Sequence, residues 1–199
     1  MAANEVDAYN VSEKYKSILW LPERTGSGTN AKIMSLYDFR CFGGLLIDGN
    51  QYNYTHACKM DPKYQDYLKI CTTRNPYSRV LSIYRSLGSY PTDFRPRNKD
   101  NFKKYLKWIE TRDMTDVNYS YITNPRMTIQ FDALIKLENI EEDYKKIPFI
   151  SEVLSDQELK NRLMWIKSID EWEHFYDVDS KEIVKRLCEK HFEMWGYQK

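Results

Sequence analysis

Two short stretches of the chain combine residue types that grip oxyanions. The first is Leu21-Pro22-Glu23-Arg24-Thr25-Gly26-Ser27-Gly28-Thr29-Asn30. Its two glycines let the backbone turn tightly and let N–H groups converge on an anion. A helix starting near Thr29 would add the partial positive charge of its N-terminus. Ser27, Thr29 and Asn30 can donate side-chain hydrogen bonds. Arg24 brings a full charge and a planar fork that matches phosphate or sulfate oxygens. The segment from Arg24 to Asn30 is therefore a candidate phosphate cradle. It is not a Walker A loop, because no Gly-Lys-Ser/Thr closes it: Gly28 is followed by Thr29-Asn30, and Lys32 falls inside the expected helix.

The second stretch is Arg74-Asn75-Pro76-Tyr77-Ser78-Arg79-Val80-Leu81-Ser82-Ile83-Tyr84-Arg85. Asn75 is an expected helix N-cap and Pro76 the first helical residue. Arg74 then sits where a strand hands over to a helix, at the edge where ligands of open α/β sheets gather. Ser82 lies off the apolar stripe formed by Val80, Ile83, Tyr84 and Leu87. Arg74 and Ser82 are candidates for a second phosphate. Arg79 and Arg85 lie three residues either side of Ser82; they either join it or solvate the helix.

The elements that must position these groups follow from apolar periodicity. Ser17 to Leu21 and Tyr67 to Thr73 read as strands. Short strands are expected at Leu45–Ile47, Met127–Phe131 and Ala133–Leu137, and a helix near Asn101–Thr111. A last helix should carry Ile183, Val184, Leu187, Cys188, His191 and Trp195 on one side, capped by Asp179 or Ser180. Strand–helix alternation in the first half predicts an α/β protein with a mainly parallel sheet. The length of 199 residues predicts one domain, with 1–16 as a loose extension.

Composition narrows the partners. Thirty Lys and Arg balance 29 Asp and Glu, so no global field favours nucleic acid or an anionic membrane, and a bound anion must be held by a few placed groups. No apolar run approaches membrane-spanning length, and the polar start lacks a secretory core. Four scattered cysteines without a CxxC pair predict reduced thiols and a cytoplasmic protein. A zinc site around His56 and Cys58 matches no standard spacing.

Taken together, these pieces resemble the sulfotransferases that use 3′-phosphoadenosine 5′-phosphosulfate (PAPS). Arg24 to Thr29 resembles that family's 5′-phosphosulfate loop, with Arg24 where a lysine is commoner. Arg74 to Arg85 resembles its 3′-phosphate motif. Leu137-Glu138-Asn139-Ile140-Glu141-Glu142-Asp143 resembles a stretch of the carbohydrate sulfotransferases, and His191 to Tyr197 resembles their terminal segment. The resemblance spans the chain from about residue 17 to its end. With the strand–helix alternation, it implies a P-loop-NTPase-like three-layer fold, a mainly parallel central sheet flanked by helices.

It also implies the chemistry. A hydroxyl, of a carbohydrate above all, attacks sulfur in line and the phosphate leaves, PAPS becoming 3′-phosphoadenosine 5′-phosphate (PAP). The family's chemistry calls for no metal. Arg24 is the candidate for stabilising the leaving charge. The base for the hydroxyl proton is His56, in the interval where related enzymes often carry one, or Glu23. Residues 112–126 are expected in the acceptor wall. Two other classes share parts of the pattern: a nucleotide or nucleoside kinase using ATP and magnesium, and a non-catalytic relative that binds an anion or a protein partner.

Overall fold

The computed structural model describes residues 9–22, 24–42, 45–47, 50–52, 62–86, 94–111, 130–164 and 172–199. In chain order the strands and α-helices are β1 (Tyr9–Ser12), β2 (Ser17–Trp20), α1 (Ser27–Met34), β3 (Arg40–Phe42), β4 (Leu45–Ile47), β5 (Asn50–Tyr52), β6 (Leu68–Thr73), α2 (Pro76–Ser86), α3 (Lys99–Glu110), β7 (Ala133–Lys136), α4 (Ile140–Lys145), α5 (Asp156–Leu163), α6 (Val178–Leu187) and α7 (Glu189–Trp195). They fall into two compact units: residues 1–73 with 126–167, and residues 74–125 with 168–199.

The first unit is built on a five-stranded sheet in the order β3-β1-β2-β6-β7. β2 pairs parallel with β6, and β6 with β7. β1 runs antiparallel to both β2 and β3, so four strands share one direction and only β1 opposes it. The α/β class and the mostly parallel sheet expected from the sequence are both present. Central strands must bury both faces. In β2, Leu19 faces one layer with Ile33, Met34, Tyr37 and Tyr144. Ile18 and Trp20 face the other with Val11, Tyr64 and Cys71, the period of two that a pleated strand imposes.

Several expectations are corrected. Tyr9–Ser12 lies in the stretch treated as an extension, yet it is a paired strand. Its polar residues find partners at depth: Ser12 Oγ donates to Tyr37 O at 2.8 Å and Asn10 Nδ2 to Leu19 O at 3.4 Å. Leu45–Ile47 does form a strand, but it pairs with Asn50–Tyr52 in a separate two-stranded ladder. Of the strand expected over Met127–Phe131, residues 127–129 lie outside the described residues, and 130 and 131 are not in a strand.

The second unit is helical and rich in aromatic contacts. α2 is buried from Pro76 through Tyr84. Val80, Leu81 and Tyr84 belong to one cluster with Phe102, Tyr105 and Leu106 of α3, Ile183 and Val184 of α6, and Phe192 of α7. Asn75 Oδ1 accepts from Tyr77 N at 3.0 Å and Ser78 N at 3.4 Å, so the expected cap is in place. The last helix is two helices, not one. Cys188 leaves the helical region (φ −112°, ψ 19°) and α7 restarts at Glu189. Both backbone groups of Cys188 stay paired at the break: its N bonds Val184 O at 2.9 Å and its carbonyl accepts from Phe192 N at 3.0 Å. The α6 cap is Asp177 rather than Asp179 or Ser180, its side chain accepting from Ser180 N at 2.8 Å. Gly196 (φ 62°) closes α7 in the left-handed conformation, and Tyr197 N reaches back to Phe192 O at 3.0 Å.

Beside that helix, His191 is buried with its ring 4.3 Å from Trp195. Burial, and then the Arg79 charge, hold its pKa well below the ordinary 6.5. The unfolded chain therefore binds a proton at His191 that the folded chain refuses. Stability is lost as pH falls through about 6.5. Thermal melts from pH 7.5 to 5.5 should show a decline that His191→Phe flattens, by up to about 1.4 kcal/mol per pH unit.

Candidate functional site

The loop after β2 is shaped by its own polar side chains. Arg24 (φ 65°) and Gly26 (φ 77°) are both left-handed, with Thr25 between them. A left-handed residue other than glycine costs about 1–2 kcal/mol and persists only where its surroundings hold it. Thr25 supplies the hold. It is fully buried, its N–H reaches Pro22 O at 3.4 Å, and its Oγ1 donates to the same carbonyl at 2.6 Å. Oγ1 is also 2.6 Å from Thr72 Oγ1 on β6. With its own hydrogen on Pro22 O, Thr25 accepts from Thr72.

Asn30 is likewise fully buried. Its Nδ2 donates to Thr25 O at 3.1 Å and Gly26 O at 3.0 Å, and its Oδ1 accepts from Tyr144 OH at 2.6 Å. Burial pushes the Tyr144 hydroxyl pKa upward, so it remains a donor. Thr25 and Asn30 thus spend their side chains on the loop itself.

What the loop presents outward is backbone. Asn30 N is the first amide in α1 to bond within the helix, to Gly26 O at 3.0 Å. The helix offers no partner to the N–H groups of Ser27, Gly28 and Thr29, and the cap residue, Gly26, has no side chain to offer one. A Cβ at Gly28 would meet nothing within 4 Å among the described residues, so the first turn is open at that position. Ser27 and Thr29 are half-buried and Arg24 is exposed. Three helix-start amides at the positive end of a helix dipole, in a segment that also carries the exposed Arg24, fit an oxyanion.

The register carries the chain toward the second motif. Trp20 at the end of β2 lies opposite Cys71, and β6 continues through Thr72 and Thr73 directly into Arg74. Within the second unit, Arg74 is buried and its Nε donates to Ser78 Oγ at 2.9 Å. Ser82, also buried, follows Ser78 by one turn of α2, so Arg74, Ser78 and Ser82 stand at successive fourfold spacing. Ser78 was not singled out by the sequence, although that spacing from Arg74 and Ser82 marks it. Arg79 does not solvate the helix. It is buried, with its guanidinium carbon 5.5 Å from the centre of the Trp195 ring. Arg85 is exposed and lies 4.6 Å over Phe175.

His56 and Glu23, the two candidate bases, lie outside the described residues, as does the segment 112–126 apart from what precedes it at Thr111. His174 is exposed on a short turn. Cys71 and Cys188 are buried, and burial raises the Cys188 pKa to about 12, which keeps the thiol protonated. Among the described residues no helix is long and apolar enough to cross a membrane. No family model, curated protein or solved structure matches the chain.

Two substitutions separate the loop's internal hold from its outward face. Asn30→Ala strands the buried Tyr144 hydroxyl and removes the donor to two carbonyls. It should cost about 3 kcal/mol in urea denaturation. Gly28→Ala meets open space on a helical residue and should be neutral or stabilising, by up to about 1 kcal/mol.

Proposed function

We propose that the chain is a sulfotransferase that moves the sulfuryl group of PAPS to an acceptor hydroxyl, of a carbohydrate above all, on a P-loop-like three-layer core. The observation that carries this reading is the loop after β2. It offers three helix-start amides, an open position at Gly28 and Arg24 in the same loop, in a segment without the Gly-Lys-Ser/Thr ending that a magnesium-dependent kinase would use. The buried Arg74 and Ser82 support it from the second motif.

In this reading the amides of Ser27, Gly28 and Thr29 hold the 5′-phosphate, and Arg74 with Ser82 holds the 3′-phosphate. The acceptor oxygen forms its bond to sulfur as the sulfur–oxygen bond to the phosphate breaks. The hydroxyl proton passes to His56 or Glu23. The departing phosphate keeps the electron pair, and Arg24 stabilises that charge without giving up a proton. Positioning and electrostatics carry most of the rate, as in other group transfers.

Titration with PAP during thermal unfolding tests the reading. Saturation at a hundred times the dissociation constant should stabilise the chain by about 2.7 kcal/mol. Arg74→Ala should weaken PAP by about tenfold or more, and Gly28→Ala should weaken it without loss of fold stability. Transfer of labelled sulfate from PAPS to a carbohydrate hydroxyl should vanish in His56→Ala, or in Glu23→Gln if that residue is the base. No PAP shift together with a magnesium-dependent ATP shift would reassign the chain to a kinase. PAP binding without any transfer would make it a non-catalytic relative.

A further inference from the structure

We infer that Tyr144 and Thr72 are positioning residues that set the shape of the loop after β2 from behind, so that its amides face a ligand before one arrives. The segment from Leu137 to Asp143 drew notice in the sequence, but no step of the proposed transfer uses it. The structure gives it a task. Asp143 is buried, accepts from Lys136 N at 2.9 Å through Oδ2 and from Lys146 Nζ at 2.6 Å through Oδ1, and so ties the end of β7 to α4. The next residue, Tyr144, is wholly buried in the layer under the sheet.

Its hydroxyl reaches Asn30 across 114 residues of chain. An amide side chain can present either its oxygen or its nitrogen. Tyr144 donates to Oδ1, and Nδ2 faces the loop, whose carbonyls can only accept. Nδ2 then draws in the carbonyls of Thr25 and Gly26 together. From β6, Thr72 donates to the Thr25 hydroxyl, whose own hydrogen goes to Pro22 O. Three carbonyls are thereby bonded to buried donors, while the N–H groups of Ser27, Gly28 and Thr29 have no acceptor within the helix. A loop ordered in advance loses less freedom on binding, which raises affinity without a new contact.

The shape of the free loop needs no nucleotide; the affinity part of the inference rests on the sulfotransferase reading. The test uses the whole chain and follows the backbone amide resonances of Gly26, Ser27, Gly28 and Thr29 by NMR, with and without PAP. Tyr144→Phe keeps the ring and removes the donor. It should move these four resonances in the free protein and weaken PAP by about tenfold. Tyr37→Phe is the control: it deletes another buried hydroxyl bond in the same layer, to Ile150 O at 2.7 Å, and should leave the four resonances in place. Thr72→Val should repeat the loop effect and Thr72→Ser should restore it, which decides the matter should Tyr144→Phe fail to fold. Loop resonances that coincide with wild type in both folded Tyr144→Phe and Thr72→Val would overturn the inference. A wild-type chain that ignores PAP would overturn the nucleotide reading instead, and the resonances of the free protein would still decide the role of Tyr144 and Thr72.

Discussion

A relay of buried hydroxyls underlies everything the candidate site can do. Thr72 on β6 donates to Thr25, and Thr25 donates to the carbonyl of Pro22. That anchor fixes the residue that stands between the two left-handed positions, Arg24 and Gly26. The anchor is available only because β2 and β6 are neighbours in parallel register. Sheet topology thus reaches the site through one short hydrogen bond between two small side chains.

The helical unit solves a different problem. α2 carries Ser78 and Ser82, in line with Arg74 just ahead of it, while being buried along nearly its whole length. A helix hidden on every side needs large, shape-defining neighbours. Here they are aromatic. Tyr77 stacks on Trp172 at 4.9 Å, and Tyr84 is 5.1 Å from Phe102 and 5.2 Å from Tyr105. The high tyrosine content has its use here: rings fill space, while hydroxyls find carbonyls, as Tyr176 does at Tyr77 O and Tyr84 at Phe94 O.

Local chemistry was the legible part of the sequence. Asn75-Pro76 announces a helix start because its cap bonds run to residues two and three positions away. The strands β2 and β6 announce themselves by apolar content. Long-range chemistry was not legible. Asn10 and Ser12 look like surface residues until their partners, Leu19 and Tyr37, are known. The break at Cys188 is invisible because apolar spacing continues across a one-residue kink. Asn30 illustrates the limit for the site: a short amide beside a glycine loop can serve a ligand or its own backbone, and only Tyr144, far along the chain, decides between them. Arg79 shows the same for charge, since nothing local reveals that its guanidinium ends against Trp195.

One carboxylate in the helical unit links two events that are usually separate. Asp177 starts α6 by accepting from Ser180, and it also receives the Lys103 ammonium of α3 at 2.8 Å. These donors hold its carboxyl well below the usual range, Lys103 contributing most. Helix initiation and one docking contact therefore share an atom group, and α6 cannot fray at its first turn without also releasing the Lys103 ammonium of α3. Amide hydrogens at the start of α6 should consequently exchange on the clock of the whole α3–α6 pair, as members of one cooperative opening rather than as a loose end.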